Sequence, residues 1–165
     1  MDLRKFIESL KELIKSFVYA LALFVFLYVF LWPVLIDGIS MEPALNHGDR
    51  VFVSRAMALF PSALERGDIV MIRVSGDYGS RYIAKRIVAL AGDEIRREKA
   101  GIYLNGELFD FSWDSFTDED FIILPEGYYF VLGDNSAHSF DSRDFGPIAE
   151  RDISAKVLFR FFGGF

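Results

Sequence analysis

The chain opens with helical spacing and then loses polarity altogether. Leu3, Ile7, Leu10 and Ile14 recur at intervals of three and four residues, which lays them on one face of a helix. From residue 17 to residue 36 no side chain is charged. At ~1.5 Å per residue that stretch covers about 30 Å, the thickness of a hydrocarbon core. It is apolar on every face and outruns the ~7–15 residues of a cleavable leader's core. The pattern therefore predicts a permanent transmembrane helix over 17–36, preceded by a cytoplasmic amphipathic lead-in over 1–16. Pro33 is expected to kink or end the helix and Trp32 to sit at the interface. Arg4, Lys5, Lys11 and Lys15 precede the run, and the next basic residue is Arg50. That asymmetry puts the N-terminus in the cytoplasm and everything after the span outside it.

Beyond residue 36 the period changes from helix to strand. Arg50–Ser54, Asp68–Val74, Arg81–Leu90, Glu94–Arg97, Gly101–Leu108, Gly127–Leu132 and Ser154–Phe161 read as strands. Asp68–Val74 is nearly continuous in apolar residues, as a strand buried on both faces would be. Asn105-Gly106 supplies a tight hairpin turn. Many short strands with glycine punctuation predict a mainly β protein, an all-β barrel or sandwich over 37–165. Ala56–Leu64 lacks strand alternation and predicts a short helix on the core, with the membrane surface as its alternative resting place. Residues 106–121 mix acidic side chains with Phe109, Phe111, Trp113 and Phe116 and predict a surface insertion covering part of the sheet.

Composition narrows the function classes. The net charge is −6 across 165 residues, so no basic surface offers to neutralise nucleic-acid phosphates. There is no cysteine, which removes disulfides and thiol chemistry. The two histidines, His47 and His138, show no metal-ligand spacing. No metal or other cofactor is expected. His47 reads as a surface turn residue and His138 as a loop residue, and either stays open as a base.

Ser40 is the first candidate nucleophile. It follows the apolar run in Asp37-Gly38-Ile39-Ser40-Met41-Glu42-Pro43, where glycine and proline impose a shaped turn. A serine needs a group to take its proton. Lysine can do this only if burial lowers its pKa from ~10.4. Lys85 lies among Ile83, Ala84, Ile87 and Val88 in a strand pattern. Alternation puts Lys85 and Ile83 on one face and Ala84 and Arg86 on the other. Taken alone, Lys85 reads as an ordinary solvated lysine. The stretch from Gly133 to Pro147 is dense in Gly, Asp, Asn and Ser, a loop of local side-chain-to-backbone hydrogen bonds. Asp141 and Arg143 can pair within it.

Together these stretches resemble the bacterial type I signal peptidases, membrane-bound serine proteases that remove signal peptides from exported proteins. The resemblance rests on the anchor, on Ser40-Met41-Glu42-Pro43-Ala44-Leu45, and on Arg66-Gly67-Asp68-Ile69-Val70. It continues through Lys85-Arg86-Ile87-Val88-Ala89-Leu90-Ala91-Gly92-Asp93 and Gly133-Asp134-Asn135, and ends on Ser139-Phe140-Asp141-Ser142-Arg143-Asp144-Phe145-Gly146-Pro147. It implies a Ser–Lys dyad, with Ser40 as nucleophile and Lys85 as general base. It further implies that Ser139 orients the lysine, that Asp141 and Arg143 support the site, and that the Ser40 N–H serves the oxyanion hole. Asp134 is taken as structural. Met41, Pro43, Ile83 and Ala84 match pocket-lining positions that select small residues at the first and third places before the cut. The implied partners are signal peptides of exported preproteins and the lipid bilayer, with the catalytic domain on the extracytoplasmic side of the cytoplasmic membrane. Gly38 departs from relatives that carry a serine hydroxyl there as a second oxyanion donor. Ser136 and Ala91 depart where arginine and proline are common. A maturation peptidase for one secreted or conjugation substrate, or an inactive anchored paralogue, would look similar.

Overall fold

The computed structural model describes residues 3–56, 64–76, 79–98, 101–110 and 120–163. A long helix, α1 (Leu3–Phe30), leads into strand β1 (Trp32–Leu35). The strands that follow are β2 (Arg50–Ser54), β3 (Ile69–Gly76), β4 (Gly79–Ala89), β5 (Glu94–Glu98) and β6 (Gly101–Leu104). Next come β7 (Glu107–Asp110), β8 (Asp120–Ile123) and β9 (Tyr128–Leu132), then the one-turn helix α2 (Ser142–Phe145), and finally β10 (Ile148–Ala149) and β11 (Ile153–Phe162). Seven strands form an antiparallel sheet in the order β1-β2-β11-β3-β4-β9-β10, and four form a second in the order β7-β6-β5-β8. The mainly β expectation holds.

The expected helix over 17–36 is cut short. The chain leaves the helix at Phe30, and Trp32–Leu35 pairs antiparallel with β2, Pro33 opposite Phe52. The helix stops three residues before Pro33, in keeping with the expectation that the proline ends it; Pro33 itself lies in a strand at the edge of the sheet, where its missing N–H is tolerated. An apolar run satisfies a helix and an edge strand equally well, so apart from Pro33 the pattern does not mark the boundary. The charge-free part of α1 covers residues 16–30, roughly 22 Å of rise. Among the described residues no helix is long and apolar enough to cross a membrane.

For the acidic stretch over 106–121 the structure describes the two ends. Its ends are strands β7 and β8, paired to β6 and β5 within the second sheet rather than laid over another. Phe111, Trp113 and Phe116 lie outside the described residues, as does most of Ala56–Leu64. Asn105 (φ 51°) and Gly106 (φ 83°) make the left-handed turn between β6 and β7, as the Asn-Gly pair predicts.

Period-two alternation sorts β3 between two cores. Val70 and Ile72 pack with Ile87, Val131 and Ile153, while Met71 on the opposite face packs with Val51, Val53 and Ala84. The second of these cores also takes in Ile36, Met41 and Leu45. Burying such side chains is worth about 1.5–3 kcal/mol each, so the turn around Ser40 is pinned to the sheet by its own apolar neighbours. A third core joins the sheets through Val88, Phe130 and Leu132 on one side and Ile95, Ile102 and Leu104 on the other. Asp93 reinforces that joint by accepting from both Arg66 and Asn105.

Candidate active site

Ser40 stands in a tight turn between β1 and β2. Glu42 N–H donates to Ile39 O at 3.2 Å and Leu45 N–H to Met41 O at 2.9 Å, which closes the backbone on either side of the serine. Met41 and Leu45 point into the core below, so the Ser40 hydroxyl is left half-buried at its edge. Gly38 adopts φ 107°, a left-handed geometry that side chains rarely tolerate. Its N–H approaches His47 Nδ1 at 3.2 Å. His47 therefore braces the turn from the solvent side.

Lys85 lies in the middle of β4, which is hydrogen-bonded to β3 on one side and β9 on the other. A residue in an inner strand is covered by its neighbours, and Lys85 is only 2% exposed. Its Nζ lies 2.7 Å from Ser40 Oγ. Burial pushes the amine below its ordinary value near 10.5; Asp141 opposes that shift, Arg143 and Arg81 reinforce it, and Asp134 opposes it. A lysine so placed is biased toward the neutral form, whose lone pair can accept the serine proton.

The loop after β9 closes the site from a third direction. Asp141 is fully buried and collects donors: Arg143 Nε at 2.8 Å, Arg143 Nη2 at 2.9 Å, Gly133 N–H at 2.9 Å and Ser139 Oγ at 2.6 Å. It also caps α2 through a reciprocal box with Asp144. The expected Asp141–Arg143 pair is thus present at the site. Ser139 is present as well, but its hydroxyl is spent on Asp141 rather than on the lysine, because the carboxylate is the stronger acceptor within reach. Gly133 has no room for a side chain: a Cβ there would overlap Ser139 Oγ and Ser40 O. Next to the lysine, Arg86 is not a solvated bystander. It grips Asp134 through two nitrogens, at 2.7 and 2.5 Å, and reaches Gly67 O at 2.7 Å.

A cavity of about 100 Å³ opens beside the serine, lined among others by Ile36, Gly38, Ser40, Met41, Ile83 and Ala84. Three of the four expected pocket residues therefore face it. Pro43 is exposed and does not line it. The sequence reading missed Ile36, Met71 and Tyr82 in that lining. Ile36 carried a signal, since it is the last apolar residue before the turn; Met71 and Tyr82 carried none, since they arrive by strand pairing. The arrangement is a serine hydroxyl in contact with a desolvated amine, beside a small hollow and a buried ion pair. An amine that burial inclines to neutrality can accept a proton from the hydroxyl it touches.

The chain is similar to known proteins. A family model described as signal peptidase, peptidase S26, matches residues 10–162. The signal peptidase I of Bacillus licheniformis is 33% identical over 170 residues, covering 94% of this chain and 90% of that protein. The signal peptidase I S of Bacillus subtilis (strain 168) is 32% identical over 172 residues, with coverages of 94% and 90%. The signal peptidase IB of Staphylococcus aureus (strain N315) is 31% identical over 178 residues, with coverages of 92% and 90%. A crystal structure of a signal peptidase I from Enterococcus faecalis superposes with a TM-score of 0.43 at 26% identity, covering 58% of this chain and 97% of that one.

Proposed function

The chain belongs to the signal peptidase, peptidase S26, family, and from that premise we propose that it is a signal peptidase I working through a Ser40–Lys85 dyad. The contact of 2.7 Å between Lys85 Nζ and Ser40 Oγ, made by an amine that burial inclines to neutrality, carries the reading. Neutral Lys85 takes the hydroxyl proton as Ser40 Oγ attacks the scissile carbonyl. The ammonium then returns that proton to the leaving amine, and water repeats the cycle to release the signal peptide from the serine. The developing oxyanion takes the Ser40 N–H, for which no acceptor occurs among the described residues. Asp141, held by Arg143, keeps Ser139 and Gly133 against the dyad. The small hollow beside Ser40 supports specificity for small residues before the cut.

Membrane attachment belongs to the same proposal. Phe17, Tyr19, Leu23, Phe24 and Phe26 are all exposed around α1, an apolar surface that water penalises. Trp32 and Leu35 carry the apolar surface on to the edge of the domain. The lead-in lysines have stems long enough to reach the headgroups. Ser40 is at most ~13 Å of chain from Ile36, the height at which a membrane-held signal peptide presents its cleavage site.

The test uses the full-length chain in detergent with a preprotein. Cleavage by wild type and loss of at least about 10³-fold in both Ser40→Ala and Lys85→Ala is the expected result. Retention of cleavage in either variant sinks the dyad.

A further inference from the structure

Two hydrogen bonds clasp the peptide groups on either side of Ser40 to the loop after β9, and both come from Asn135. Its N–H donates to Ser40 O at 3.0 Å. Its side-chain Nδ2 donates to Ile39 O at 3.1 Å. The identity of the second acceptor matters. The Ile39 carbonyl and the Ser40 N–H are opposite ends of one planar trans peptide. Whatever fixes the direction of that carbonyl also fixes the direction of the N–H. A hydrogen bond to the oxygen additionally polarises the group and strengthens the N–H as a donor.

The usual reason for an asparagine at this position does not account for the contact. Asn135 precedes the 3₁₀ turn at Ser136–His138, yet its side chain makes no cap bond to that turn. Its Oδ1 lies 3.3 Å from His138 Nδ1, which leaves the amide nitrogen aimed at Ile39. The loop that carries it is tied down beside Asn135. Asp134 is held by Arg86 of β4, and Gly133 is pressed against Ser40 O. Gly38 brings no hydroxyl to the site, so more of the oxyanion stabilisation falls on the single peptide that Asn135 holds.

We propose that Asn135 is a positioning residue for the reaction, orienting and polarising the Ile39–Ser40 peptide so that the Ser40 N–H is preset toward the developing oxyanion. This rests on the reading of Ser40 as the nucleophile. Its contribution is spent on the transition state and not on substrate binding.

Full-length protein in detergent is assayed with a signal-sequence peptide, and with a peptide aldehyde ending in alanine whose adduct on Ser40 mimics the tetrahedral oxygen. Asn135→Ala is expected to lower kcat about 10- to 30-fold, less than the ~10²–10³ of deleting a direct donor. KM should stay within about twofold, and the aldehyde should weaken by the same factor as kcat/KM falls. Binding of the uncleaved peptide should match between Ser40→Ala and Ser40→Ala/Asn135→Ala. A kcat equal to wild type, or a loss confined to KM or to melting temperature, overturns the proposal. Should Asn135→Ala fail to fold, Asn135→Asp decides. It keeps the shape but faces Ile39 O with an acceptor, so its kcat must fall at least as far, and wild-type kcat overturns the idea. Cleavage by Ser40→Ala at the wild-type rate would instead sink the underlying dyad, whatever the Asn135 variants do.

Discussion

Replacing Lys85 by methionine should destroy activity and yet raise stability at neutral pH. The two side chains have similar length, and Lys85 is 2% exposed, so the comparison isolates the amine. Well above the free-lysine value both proteins bury a neutral group. Methionine gives up the 2.7 Å contact with Ser40 Oγ, worth about 1 kcal/mol, and gains burial of roughly one more apolar group, about 0.8 kcal/mol. The two proteins therefore start nearly level. As the pH falls below about 10.5, the unfolded wild-type chain takes up a proton at this lysine that the folded chain does not, because burial depresses the folded pKa. The wild type then loses about 1.4 kcal/mol of stability per pH unit until the depressed value is reached, below which the loss is complete. The methionine variant has no such slope. It should melt above the wild type at pH 7, by about 2–4 °C for each kcal/mol of difference in a chain of this size. Melting curves of both proteins in the same detergent from pH 6 to pH 11 give the difference directly, since every other titrating group is shared. Parallel Tm–pH curves would refute the claim that desolvation depresses the lysine.

The cleavage rate of the wild type should rise with pH through the depressed lysine value, because only the neutral amine is a base; a flat profile from pH 6 to pH 10 argues against Lys85 in that role. Gly133→Ala should lower kcat about 10²-fold, since the added methyl meets Ser139 Oγ and the backbone oxygen of Ser40; wild-type kcat would show that the loop yields freely. Asp141→Ala removes the carboxylate that takes two guanidinium nitrogens of buried Arg143. It should cost about 3–5 kcal/mol in denaturant unfolding, and a loss under 1 kcal/mol would contradict the pairing. At Asp93, burial works to raise the carboxyl, yet hydrogen bonds from Asn105 and Leu90 and the charge of Arg66 hold it below its usual range. Its stabilisation is present above the unfolded value and fades as the pH falls through the lower folded one. Asp93→Asn should therefore narrow the gap to wild type in acid, and an unchanged gap between pH 6 and pH 2 would contradict the shift.

The site was legible where chemistry and local pattern coincided. Lys85 lay in an apolar strand pattern that, taken alone, fitted an ordinary solvated lysine; the resemblance paired it with Ser40, and its place in an inner strand comes from β3 and β9, which are distant in sequence. The Asn105-Gly106 turn and strand β2 were fixed by neighbours in sequence. The end of α1 was marked by Pro33 alone, because residues 31–36 are otherwise as apolar as the helix before them; pairing with the distant β2 makes that segment a strand. Arg86 shows the same limit. Alternation placed it opposite Lys85, but its partner is 48 positions away at Asp134, and nothing local distinguishes it from a solvated arginine. Ser139 was read through a resemblance that supplied its neighbourhood but not its bond. The hydroxyl rotates to the strongest acceptor within reach, and that acceptor, Asp141, is buried by packing the sequence does not spell out.

Pro33 in β1 has a consequence for how the protein behaves in a crowd. An edge strand beside a catalytic cleft is a risk, because its outer row of donors and acceptors will zip to any extended chain, including a second copy of itself. Proline strikes one donor from that row. The ladder is interrupted three residues before Ile36, where the cleft begins. Edge-to-edge stacking of two copies along this strand is thereby spoiled.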